Sequence, residues 1–245
     1  MSGLSPFRRK SVIRFLVVAL AVSAVLFATG IGYAYLLKHR AADLVRRVAG
    51  LNLGISTFAD VQRIADSYGR YRMSQEEVVL PMTTDPTGAD FHAVDPCTPD
   101  KCLFSFKIDN RQLAMFRLAR PAMLTVAVAV RMNVVRYVEV SLRGGRDGVH
   151  AGLVEEREQS RYGPYGFPTP VGKPYLFVRL SPEATPTQRS HAFTMKMDCL
   201  ASWRACDVGC DYLPLAWQDW KHELSANGID EHTFLYSYPH SIRCN

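Results

Sequence analysis

CLFSFKIDNRQLAMFRLARPAMLTVAVAVRMNVVRYVEVSL, residues 102–142, alternates apolar and polar side chains in three segments. In Cys102–Ile108 the residues Cys102, Phe104, Phe106 and Ile108 share one face. In Met123–Val130 the face is Leu124, Val126, Val128 and Val130. In Asn133–Leu142 it is Val134, Val138, Val140 and Leu142, with Arg136 as a misfit. A period of two with one apolar face is the mark of antiparallel strands half-buried against a core.

The pattern continues downstream. Gly144-Gly145-Arg146-Asp147-Gly148 is a turn signal ahead of a further strand, Val149–Arg157. Pro174–Ser181 alternates through Leu176, Val178 and Leu180, and Arg189–Asp198 through Phe193, Met195 and Met197. A helix over roughly Tyr212–Ala226 carries Leu213, Trp217, Trp220 and Leu224 as a stripe, and Asn227-Gly228 ends it. Both tryptophans are expected in the core. Upstream, Ser56 or Thr57 caps a helix whose apolar stripe is Phe58, Val61, Ile64, Ala65 and Tyr68, with a stop at Gly69. Residues 81–101 are rich in Pro, Asp and Thr and read as loop. The expected domain, residues 51–245, is α+β, with an antiparallel sheet of about six strands packed by two helices.

Ahead of it, Phe15–Leu37 (FLVVALAVSAVLFATGIGYAYLL) holds 23 residues without a charge. As a helix it spans about 34 Å, enough to cross a bilayer core. Tyr33 and Tyr35 stand where an aromatic belt would lie. A cleaved signal peptide is the rival, with Gly32-Tyr33-Ala34 as its cleavage site, but the apolar run exceeds the usual signal length. An uncleaved anchor is therefore favoured: residues 1–14 a cytoplasmic tail, 15–37 transmembrane, 38–50 a juxtamembrane helix. Ala41, Leu44, Val45 and Val48 give that last segment its stripe.

The net charge of +6 belongs to this region. Residues 1–40 carry six of the 29 cations and no acid, which leaves 23 cations against 23 acids in the remainder. A neutral domain is not built to grip phosphates, so a nucleic-acid partner is excluded. The cations do not orient the anchor. Arg8, Arg9, Lys10 and Arg14 on one flank balance Lys38, Arg40, Arg46 and Arg47 on the other. The cysteines do: Cys97, Cys102, Cys199, Cys206, Cys210 and Cys244 all follow the anchor and are even in number, which reads as disulfides in an exported domain. Cys97 with Cys102 is the expected local pair. The other four are left to pair among themselves, with Cys244 tying down the tail. The expected location is a bacterial inner membrane with the domain in the periplasm.

The stretch Leu51–Gly69, with Gly54, Thr57, Val61 and Gly69, resembles the opening of the small lipoproteins of the β-barrel assembly machinery, whose first helix begins Gly-x-Thr-x-x-x-Val and leads to a Gly. The chain departs from them in having no lipobox Cys near its start, a longer sheet and a late Cys cluster. The whole arrangement is similar to uncharacterised single-pass membrane-anchored bacterial envelope proteins. That resemblance implies location and architecture and carries no activity.

Chemistry-bearing motifs are sparse. No G-x-S-x-G, H-E-x-x-H or P-loop occurs. The histidines 39, 92, 150, 191, 222, 232 and 240 are scattered, and His191 is expected on the buried face of its strand. Glu155, Glu156 and Glu158 read as a charged edge that resists strand addition rather than as acid–base groups. Cys206, Cys210, His240 and Cys244 have spacings a Cys3His zinc site would use, yet export favours oxidation, so no metal and no cofactor is expected. Ser160–Pro174 is a Pro/Gly loop between strands, and its Tyr162, Tyr165 and Phe167 are the candidate binding residues. The function read from this is a non-enzymatic interaction or scaffold module, or a binder of hydrophobic ligands, with a protein partner or an apolar ligand. The alternatives are an envelope enzyme whose site assembles only in three dimensions, or the zinc module.

Overall fold

The three alternating segments form the centre of a sheet in the computed structural model, which describes residues 6–73, 97–144, 149–156, 175–180, 184–202, 211–226 and 228. Strands β1 (Lys101–Asp109), β2 (Ala122–Arg131) and β3 (Val134–Gly144) pair antiparallel. Phe104 stands opposite Val128, and Val126 opposite Val140. The residues of the alternating face, Val134 excepted, are fully or nearly fully buried.

Arg136 ceases to be a misfit once the pairing is known. The β2–β3 ladder shifts register between Ala129 and Val130, so Val130 faces Val135 while Ala129 faces Tyr137. One extra residue on β3 is a bulge. It makes Val135 the core residue in place of Val134, which is only half-buried. The two-residue turn before it, Met132-Asn133, has positive φ at both positions, which is what a tight hairpin connection requires.

Strand β4 (Val149–Glu156) is antiparallel to β3, and β5 (Tyr175–Leu180) lies beyond it, in the order β1-β2-β3-β4-β5. Here the expectation needs correcting. The described sheet has five strands, and β5 runs parallel to β4, so the sheet is mixed. Parallel neighbours need a crossover of about a dozen residues or more, and positions 157–174 separate these two.

The expected sixth strand, Arg189–Asp198, is instead a helix and a turn. Helix α4 covers Pro186–Phe193, and a 3-10 turn covers Met197–Ala201. Thr185 is the N-cap: its hydroxyl accepts from the Gln188 N–H at 3.2 Å, and the Gln188 side chain accepts from the Thr185 N–H at 2.9 Å. Pro186 fills the first helical position. A capping box with Pro at N1 is a strong helix start, and it overrides a three-residue alternation.

Helix α1 runs unbroken from Pro6 to Ala49, 44 residues or about 66 Å. It is long and apolar enough to cross a membrane. Its two halves differ. Every residue from Ile13 to Thr29 is exposed. From Gly30 onward one side packs on the domain: Tyr33 and Ala34 partly, then Leu37, Ala41, Leu44, Val45 and Val48 fully. This stripe joins the sheet face, Val61, Ile64 and Ala65 of α2 (Phe58–Ser67), Trp217 of α5 (Pro214–Ala226) and Leu213, just ahead of that last helix, in one contiguous core. Thr57 caps α2, its N–H donating to the Asp60 carboxylate at 2.7 Å.

The other face of the sheet is buried over its middle as well. Ser105, Ala127, Ala129, Tyr137, Glu139 and Ser141 occupy it, with Glu139 only 3% exposed. Alternation alone suggested a solvated polar face; here small and hydrogen-bonding residues make it. Tyr137 donates its hydroxyl to Glu139 at 2.6 Å, as burial of a carboxylate demands.

Between β1 and β2 lies a short helix, α3 (Arg111–Met115), and a turn. Fully buried Asn110 fixes its base. Its amide donates to the Arg120 and Leu200 carbonyls at 2.6 and 2.9 Å and accepts from the Ala122 N–H at 2.7 Å.

Candidate functional site

Among the described residues an open groove of about 660 Å³ lies between α1 and α4, a size suited to one small ligand. Ala42, Val45 and Ala49 of α1 form one wall. Pro186, Ser190 and Phe193 of α4 form the other, and Met195 and Met197 close one end. These residues sit where they do because of sequence spacing. Positions 42 and 49 each follow a residue of the core stripe 41, 44, 45 and 48, and Val45 belongs to both, so the helix presents a second, shallower apolar side. Positions 186, 190 and 193 recur at helical spacing on α4.

The polar groups at the groove have different duties. Arg46 is exposed at its mouth and lies 3.5 Å from Asp43. Arg189 is committed to the structure. Its guanidinium donates to both Glu155 oxygens, at 2.7 and 3.0 Å, and to the carbonyls of Ala49 and Leu51, each at 2.7 Å. It thereby satisfies carbonyls at the end of α1, where the helix dipole favours a cation. It also stacks over Phe193 at 4.9 Å. One side chain thus locks α1, β4 and α4 into the geometry that opens the groove.

Beside the groove, Asp43 accepts a hydrogen bond from the Tyr68 hydroxyl at 2.7 Å and another from Arg47 at 2.9 Å. The tyrosine hydrogen bond is the main cause holding the Asp43 carboxyl below its ordinary pKa, with Arg47 adding to it. Burial first, and the hydrogen bond to Asp43 second, push the Tyr68 phenol up to about 12. On the far side of α4, His191 Nδ1 lies 2.7 Å from the Asp219 carboxylate of α5.

Several sequence-derived expectations move. His191 is on a helix and half-exposed rather than buried on a strand. Glu155 is not an exposed edge charge; it is 9% exposed and paired with Arg189. Glu156 shares its strand but its side chain lies outside the described residues, as does all of Glu158. Cys97 and Cys102 form a disulfide with Cα atoms 4.7 Å apart. Cys199 is disulfide-bonded too. Cys206, Cys210, Cys244 and His240 lie outside the described residues, and so do Tyr162, Tyr165 and Phe167 of the candidate loop. Among the described residues no three His, Cys, Asp or Glu side chains gather as metal ligands. Sequence reasoning missed Arg46, Arg189 and Phe193 as a group. The signal that would have found them is Thr185-Pro186-Thr187-Gln188, which announces α4 and aligns Arg189 and Phe193 on one side of it.

No protein family, curated protein or solved structure matches the chain.

Proposed function

We propose that the chain is a single-pass protein of a bacterial inner membrane, with residues 1–14 cytoplasmic and the domain in the periplasm. Its domain acts as a non-enzymatic binding module. The exposed apolar half of α1 supports the anchor. The Cys97–Cys102 disulfide supports an oxidising compartment. The groove carries the functional reading: a trough of about 660 Å³ lined by apolar side chains such as Ala42, Ala49 and Phe193 and by polar ones such as Asn52, Ser190 and Thr194, with Arg46 at its mouth, suits an amphipathic ligand, with an acyl-like body and an anionic head.

The test is native mass spectrometry of the full chain released from lipid nanodiscs. One retained amphiphile per wild-type chain is expected. Ala49→Trp and Ser190→Trp, which fill the groove from opposite walls, should each reduce its occupancy at least tenfold at unchanged thermal stability. Equal retention by wild type and both plugged variants would sink the groove as the site.

One observation favours the enzyme alternative: the His191–Asp219 pair, a carboxylate-oriented imidazole. Ester hydrolysis by the wild type that His191→Ala abolishes would establish it; its absence leaves the pair as a brace between α4 and α5.

A further inference from the structure

The apolar run on α1 and the point where the domain takes hold of the helix do not fit a simple stalk. From Phe15 to Thr29 the uncharged, wholly exposed helix has 15 residues. That is about 22 Å, roughly 8 Å short of a bilayer core. Beyond it, the open side of the helix stays apolar through Ile31, Tyr35 and Leu36, all exposed. The opposite side is already occupied. A Cβ on Gly30 would meet Leu118 Cδ1 at 2.6 Å, so the α3 turn touches the helix at Gly30. The level at which lipid should still cover one side of α1 is therefore the level at which protein covers the other.

The tip of that protein is apolar. Met115 and Phe116 are 69% and 68% exposed, two of the larger apolar side chains on the domain's surface. Arg111, Arg117 and Arg120, also exposed, flank them in sequence. Asn110 pins the base of the segment. Exposed aromatic and thioether groups flanked in sequence by arginines, on a fixed support beside an apolar helix, are the pattern of an interfacial insertion. The arginines would stay at the head groups while the tip enters the acyl boundary.

We infer that the 111–118 segment inserts into the same bilayer as α1, with Met115 and Phe116 in the acyl boundary, and so makes the domain lie on the membrane rather than hang from it. This rests on α1 being a membrane anchor. Two-point attachment fixes the domain's orientation, which a single helix would leave free to rotate.

The test uses the full chain in nanodiscs of phosphatidylethanolamine and phosphatidylglycerol. The photo-crosslinker p-benzoylphenylalanine replaces Val22, Phe116 or Ile55 in turn. All three sites are exposed, so folding is not at stake. Ile55 lies in the turn past the far end of α1, whose last residue, Ala49, is about 28 Å along the helix from Gly30. Lipid adducts at 22 and 116 but not at 55 are the expected result. Adducts at 22 alone overturn the insertion and leave the anchor standing. No adduct at 22 overturns the anchor, and the inference with it. Equal adducts at 116 and 55 also overturn it, because labelling would then not depend on depth.

Discussion

Tyr68 and Asp43 show how much rests on a single contact. The phenol is buried, and it donates to a carboxylate on the neighbouring helix. Asp43, with a depressed pKa, contributes stability that is present above its ordinary pKa, near 4, and lost as pH falls below it. Tyr68, with its pKa raised from 10.0 to about 12, contributes stability that is complete below pH 10 and lost as pH rises through 12. Tyr68→Phe removes both dependences in part; Tyr212, also raised by burial, still titrates at the alkaline end. Thermal unfolding against pH should show shallower losses on both limbs, with a cost at neutral pH of about 1.5 kcal/mol, typical of a hydrogen bond to a charged group. A parallel profile merely shifted downward would mean the contact is packing alone.

At the scale of elements, α1 is core along one half and, in the proposed reading, anchor along the other. Leu44 is fully buried and Val18 is exposed on the same helix. Leu44→Ala should destabilise the domain by about 3 kcal/mol, the usual cost of a core truncation. Val18→Ala should leave the domain's melting temperature unchanged in nanodiscs by near-ultraviolet circular dichroism. Arg189 makes the second element-scale case. Arg189→Met strands the Glu155 carboxylate and the Ala49 and Leu51 carbonyls, at a cost of about 3 kcal/mol or more. Adding Glu155→Met should recover part of that loss. If the two losses simply add, the ion pair does not couple β4 to α4.

These elements also show what could be read from the residues. The strands β1, β2 and β5 were legible because each repeats apolar residues every second position against a single core, and β4 was legible from the Gly144–Gly148 turn signal ahead of it. The bulge was visible only as the Arg136 anomaly, since alternation records a period and not the partner strand. The parallel sense of β5 was illegible: an apolar face of Leu176, Val178 and Leu180 reads the same in either direction. At Phe193, Met195 and Met197 the alternation was real but local, and the cap at Thr185 and Pro186 decided otherwise. The groove was hidden for a related reason. It lies between one correctly read helix and one misread as strand.

For the whole molecule, the +6 charge marks the flanks of an apolar helix, and the domain that follows is formally neutral. The domain does not begin where the apolar run ends. It grips that run from Gly30, so in the proposed reading bilayer and domain share one continuous helix. Cleavage after Ala34 would remove the Gly30 contact with Leu118 and the packing of Tyr33. The intact mass of the protein, isolated from native membranes without reductant, decides between these structures. The shared-helix account predicts a chain that retains residues 1–34, with its cysteines oxidised; a mature chain starting at Tyr35, or one carrying six free thiols, would contradict it.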